Sequence, residues 1–141
     1  MAIKFCGWFI DFWKVLDLTK VLKEPKTATA KSTAEGILAP VPYVNGFHFF
    51  TSIGMYTGET AVSLEHFTRE IQTIPLESIE FHIKRGDFQK WIASTLGDDE
   101  LAEEIGCIEE NLSGESLRKR LLTVLNARIH YLKTQCLKLG E

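Results

Sequence analysis

Cysteine, proline and long apolar runs are scarce in this chain of 141 residues, and charge of one sign is not in large excess. The three cysteines, Cys6, Cys107 and Cys136, form no Cys-x-x-Cys or Cys/His spacing, and an odd number cannot all pair within one chain. A disulfide framework is therefore excluded, and a reducing cytoplasm is the expected compartment. In the N-terminal stretch the uncharged run Phe5 to Ile10 is about a third of the roughly 18 residues that suggest a membrane span. Lys4 is the only positive charge ahead of it, Asp11 ends it, and no small-residue cleavage site follows, so neither a signal peptide nor a transmembrane helix is expected. Sixteen Lys/Arg against nineteen Asp/Glu leave a net charge of −3, which removes the simplest argument for a globally basic polyanion binder. The phosphate-loop, dinucleotide, nucleophile-elbow and zincin signatures are all missing. None of the four histidines, His48, His66, His82 and His130, pairs with another at helical spacing, so no metal and no cofactor is expected.

What is present reads as one mainly α domain: an orthogonal bundle of five or six helices, a long C-terminal helix, and room for one small β-hairpin near 41–53. Residues 1–24 carry Phe5, Trp8, Phe9, Phe12, Trp13 and Leu16 at three- and four-residue steps, an aromatic amphipathic helix. It is either a core helix or an exposed one that meets a partner or a membrane surface. Residues 25–46 hold three of the four prolines and a Thr/Ala/Ser tract without periodicity, an irregular arm leading to the helical domain at 47–141. Asn45-Gly46, between short β-prone runs, predicts the hairpin turn. Beyond Gly58 the punctuation is helical: Ser63 as N-cap, Pro75 opening a new helix, Gly86 stopping it, Asp87 capping the next, Gly97 ending that, and Asp98 capping another. From Ser113 onward one long helix carries Leu122, Leu125, Ile129, Leu132, Cys136 and Leu139 at alternating three- and four-residue steps, the seam of a coiled coil. A second stripe, Leu117, Leu121, Val124 and Tyr131, lies beside it, so the helix is expected to pack on two neighbours, one of which is open to being a second copy.

The segment Pro75 to Ile105 carries Ser78, Ile79 and His82, then Asp87, Phe88, Trp91 and Ile92, then Leu96, Gly97, Asp98, Leu101 and Ala102, with Ser63, Leu64 and Phe67 upstream. In this it resembles an uncharacterised family of small bacterial and archaeal domains of unknown function, marked by a Ser-Ile-x-x-His, Asp-Phe-x-x-Trp and Leu-Gly-Asp-x-x-Leu-Ala pattern. The resemblance implies a helical domain and carries no assigned activity.

Two constellations draw a functional reading. His82, Arg85 and Asp87 form the densest polar cluster, with Trp91 one turn on. Either they build a helix corner, an imidazole in the last turn of one helix and a carboxylate in the first turn of the next, or His82 and Asp87 act as general acid and base in a site that Arg85 and Trp91 help to bind. The second constellation is charge partition. Residues 113–141 hold six Lys/Arg against two acids, a local +4, and the remainder holds ten against seventeen, or −7. Asp98 to Glu110 alone contains seven acids and no base, and Arg118-Lys119-Arg120 follows closely. These are either neighbouring helices that pair, or a basic helix, with Arg128, that faces a phosphate backbone. The leading expectation is a cytoplasmic interaction module, with the question of enzymatic activity left open, that binds a second copy or another protein through Leu122, Leu125, Ile129, Leu132 and Cys136, with Trp8 and Trp13 as anchors. A small enzyme or ligand binder around His82, Arg85 and Asp87 is the alternative, and an RNA- or ribosome-associated factor using Arg118, Lys119, Arg120 and Arg128 is the third. Nucleic acid is not the favoured partner.

Overall fold

The computed structural model describes residues 27–138. The aromatic segment with Trp8 and Trp13 lies outside the described residues, as does Leu139. Six α-helices and one two-stranded antiparallel sheet make up the described part. In chain order they are α1 (Thr27–Leu38), a single 3-10 turn (Tyr43–Asn45), β1 (Phe47–Ser52), β2 (Met55–Ala61), α2 (Leu64–Thr73), α3 (Leu76–Arg85), α4 (Asp87–Trp91), α5 (Asp99–Gly106) and α6 (Gly114–Lys138). The mainly α class with a small hairpin and a long C-terminal helix is as expected.

Most helix boundaries follow local chemistry. The Ser63 hydroxyl accepts the His66 N–H at 3.1 Å and starts α2. Gly86 and Gly97 take left-handed backbone (φ 71° and 78°), which ends α3 and the π-helical turn Ile92–Leu96 that continues α4. Asp98 accepts the Leu101 N–H at 3.1 Å and starts α5. Pro75 precedes α3 as its cap residue rather than entering it. Asp87 does not cap α4: Gly86 occupies that position, and the Asp87 carboxylate turns back to His82 and Arg85.

Three expectations need correction. The arm at 25–46 is helical over Thr27–Leu38, where Ala34 and Ile37, one turn apart, are buried as α1 packs along α6. Tertiary burial of two small apolar contacts outweighs the weak helix propensity of threonine and serine there. The hairpin exists, but its turn is Ile53-Gly54, flanked by the pair Ser52 and Met55, with Gly54 at φ 80°. Asn45 instead closes the 3-10 turn, and Gly46 enters β1 in extended conformation. A Cβ at Gly46 would lie 2.8 Å from both the Ala61 carbonyl oxygen and Thr60 Cγ2, so glycine is required there for close approach to β2 rather than for a turn. Finally, Cys136 is a free, half-buried thiol, whereas Cys107 is disulfide-bonded, which removes the argument for a reducing compartment drawn from unpaired cysteines.

The core has two parts. The inner face of the hairpin brings Phe47 and Phe49 against Phe67, Phe88 and Trp91, with ring centroids 4.9–6.4 Å apart in mostly edge-to-face contact. The long helix α6 supplies the rest and packs against α1, α2, α3 and α5. Leu117, Leu121, Val124, Leu125, Ile129 and Leu132 are all buried in this one chain, and Leu122 and Cys136 pack at its margin. The seam read as an inter-chain surface is therefore core, because α6, the longest of the described elements, unites four shorter helices. Among the described residues no helix is long and apolar enough to cross a membrane.

Candidate functional site

The helix corner between α3 and α4 places His82 and Asp87 together as the spacing suggested, and the geometry assigns their roles. His82 is 3% exposed. Its Nε2 accepts the Phe50 N–H at 2.9 Å, so a neutral ring carries its proton on Nδ1 and donates it to Asp87 Oδ2 at 2.8 Å. Arg85 Nε donates to the same carboxylate oxygen at 3.0 Å and its guanidinium lies over the Phe81 ring. Both nitrogens of His82 are thus engaged, and no proton-accepting position faces solvent. The imidazole pins β1 to the corner, in keeping with the architectural alternative rather than with general base catalysis.

Burial pushes the His82 imidazolium below its ordinary value, against the pull of the Asp87 hydrogen bond and charge. Asp87 is held below the ordinary carboxylate range: its partial burial acts the other way, and the bonds from His82 and Arg85 prevail. As pH falls through the imidazole's ordinary value, the unfolded chain takes up a proton that the folded chain refuses, so stability declines on acidification. Protonation would also set an Nε2–H against the Phe50 N–H. We expect the thermal midpoint to fall between about pH 7 and pH 5, and to fall less steeply in His82→Gln. Equal slopes for the two proteins, measured by circular dichroism, would remove His82 as the cause.

Trp91 is buried and donates its indole N–H to the Asn45 carbonyl at 2.8 Å, holding the 3-10 turn on the core. The basic candidates separate as well. Arg118 donates to the carbonyls of Ile71, Gln72 and Ile74, at 3.3, 2.6 and 2.9 Å, and closes the C-terminal end of α2. Arg128 makes two bonds of 2.8 Å to Asp98 and a third of 2.8 Å to Glu100. Acidic α5 and basic α6 are thus neighbours within the chain, as the pairing alternative expected, but through Arg128 rather than Arg118-Lys119-Arg120. Lys119 and Arg120 are exposed. Two of the four proposed phosphate contacts are spent on the fold, which leaves no continuous basic face among them.

Sequence reasoning missed the surface that the fold does leave open. Of the seven large hydrophobic side chains that stand exposed among the described residues, Tyr43, Val44, Ile53, Met55 and Tyr56 lie on or beside the hairpin. Val44 and Ile53 are 82% and 83% exposed. A groove of about 360 Å³ opens beside them between β1 and α3, lined by Phe47, His48, Phe50, Ile53 and Phe81, with Arg85 and Asp87 at its rim. The in-out alternation of Phe47-His48-Phe49-Phe50 was the available signal, since burying Phe47 and Phe49 turns His48 and Phe50 outward.

A family model described as a family of unknown function, DUF5752, matches residues 44–138. The chain belongs to this family. The DUF5752 match begins within the 3-10 turn and spans the hairpin, the groove, the His82 corner and all of α6, and α1 precedes the matched residues. It also contains the whole of Pro75 to Ile105, the segment on which the resemblance rested. No curated protein and no solved structure matches the chain. The DUF5752 assignment names no activity, so any chemistry has to be argued from the side chains. Among the described residues no group of three or more His, Cys, Asp or Glu is placed to hold a metal.

Proposed function

We propose that this protein is a binding module without catalytic chemistry, and that its recognition surface is the hairpin with the groove beside it. The observation that carries the reading is the concentration of exposed apolar and aromatic side chains at 43–56, contiguous with a concave, mainly apolar groove. An exposed apolar surface costs solubility and marks a contact site when it gathers in one place. The interaction class expected from the sequence is kept, and its surface moves from α6 to the hairpin, because the α6 seam is occupied by the chain's own α1, α2, α3 and α5. The internal engagement of both His82 nitrogens supports binding over catalysis.

The test is backbone amide mapping by NMR with a panel of short peptides, saccharides and oligonucleotides. Saturable shifts confined to residues 43–60 and 81–87 are expected. Shifts centred on Lys119 and Arg120, or a turnover reaction abolished by His82→Gln with the fold intact, would overturn the reading.

A further inference from the structure

The ligand class follows from what this surface carries, and the inference rests on the reading of the hairpin as a binding surface. We infer that the outer hairpin face and the groove together form a saccharide site, which takes a neutral pyranose ring, free or at the end of a glycan.

Four rings make the outer face continuous. Tyr43 meets His48 at 5.5 Å, His48 meets Tyr56 at 6.0 Å, and Tyr56 meets Phe50 at 5.4 Å between centroids. Such a face buries the C–H side of a pyranose while its polar edges meet the hydroxyls, and tyrosine supplies this amphipathic area at low entropic cost.

The polar atoms of the face are held in place from beneath. Thr60 Oγ1, on a side chain with little exposure, lies 2.7 Å from His48 Nδ1, 2.6 Å from the Tyr56 hydroxyl and 3.4 Å from the Tyr43 hydroxyl. A threonine hydroxyl offers one donor and two acceptor positions, so three partners saturate it. Thr60 is therefore an anchor that fixes three rings, and each phenol oxygen keeps hydrogen-bonding capacity beyond its bond to Thr60. Thr60 gives its one proton to the Tyr43 hydroxyl, so the Tyr56 hydroxyl and His48 Nδ1 both donate to Thr60, and the neutral His48 ring presents Nε2 as an acceptor on the side away from that anchor. A sugar hydroxyl supplies the donor that this nitrogen needs.

Charge narrows the class further. The groove's charged groups are Arg85 and Asp87, which are paired and sum to zero. A polyanion gains little from such a rim. A guanidinium beside a carboxylate offers donors and an acceptor side by side, the pattern that adjacent hydroxyls on a ring require. The groove's 360 Å³ lies at the small end of ligand pockets, suited to one or two sugar rings rather than a long chain.

The experiment is a titration of the full chain with the methyl pyranosides of glucose, galactose, mannose and N-acetylglucosamine, followed by amide and Tyr ring shifts, with a glycan array to separate free from polymer-borne sugars. At least one pyranoside is expected to bind at about millimolar Kd, with shifts at residues 43–60 and 81–87. Tyr43→Ala with Tyr56→Ala, both exposed positions, should weaken binding about tenfold or more, whereas Tyr131→Ala on α6 should not. No saturable shift with any pyranoside, or equal binding by the double variant, overturns the inference. If peptides shift the same amides and sugars do not, the saccharide assignment falls and the hairpin remains the binding surface.

Discussion

Arg128→Ala is expected to lower stability by about 3–5 kcal/mol, among the largest effects any single side-chain truncation will have in this protein. Asp98 is 1% exposed and receives both an Nε and an Nη bond from Arg128 at 2.8 Å. Burial works against the guanidinium's charge, but the Asp98 hydrogen bonds and charge hold Arg128 more firmly protonated than usual. Truncation leaves a carboxylate enclosed without its counter-charge, so the penalty comes from the partner left behind more than from the bond lost. The double variant Asp98→Asn with Arg128→Ala should recover a large part of the loss, because asparagine keeps the cap on Leu101 N–H without the charge. Urea unfolding followed by circular dichroism measures this. A double variant as unstable as Arg128→Ala would mean that packing, not charge, is what Arg128 supplies.

Leu125 provides the second large effect. It is fully buried at the centre of α6, and Leu125→Ala should cost about 2–5 kcal/mol through lost transfer energy and the cavity left behind. Leu125→Asp should prevent folding, since an unpaired carboxylate has no partner there. Both effects should be independent of protein concentration, because the side chain is covered by the chain's own helices. Light scattering alongside the unfolding curves separates the two accounts: an oligomer that dissociates in Leu125→Ala with an unchanged urea midpoint would return the seam to the role of an inter-chain surface.

The contrast between these residues and their appearance in the sequence shows what local reading reaches. Ser63, Gly86, Gly97 and Asp98 announce helix ends because capping is decided within four residues, by a hydroxyl or carboxylate meeting an amide or by a glycine turning left-handed. The α6 stripes were equally legible as a pattern, but the pattern states only that a face is covered, not by what. Intrachain helices and a second copy give the same heptads. Helix α1 was illegible for a related reason. Its Thr/Ala/Ser run has little propensity or periodicity of its own, and Ala34 and Ile37 acquire meaning only once α6 lies alongside. In the hairpin, Asn45-Gly46 is a turn signal on local grounds, and the close approach of Thr60 and Ala61 puts it to another use.

The candidate site divides along the same line. The proximity of His82, Arg85 and Asp87 was visible because all three sit at one helix corner, yet the role of His82 was not. That role is decided by Phe50, 32 residues away, whose N–H occupies the nitrogen a catalytic base would need. In the aromatic face, the alternation along β1 marks His48 and Phe50 as outward, but only the fold brings Tyr43 and Tyr56 beside them.

The helical class, the length of α6 and most of the caps are legible in the chain alone, because each rests on periodicity or on neighbours a few residues apart. The tertiary structure alone decided which charged side chains are consumed internally, which apolar stripe is core and which surface stays open. Those outcomes depend on competition between distant segments for the same contacts, and only the folded arrangement resolves it.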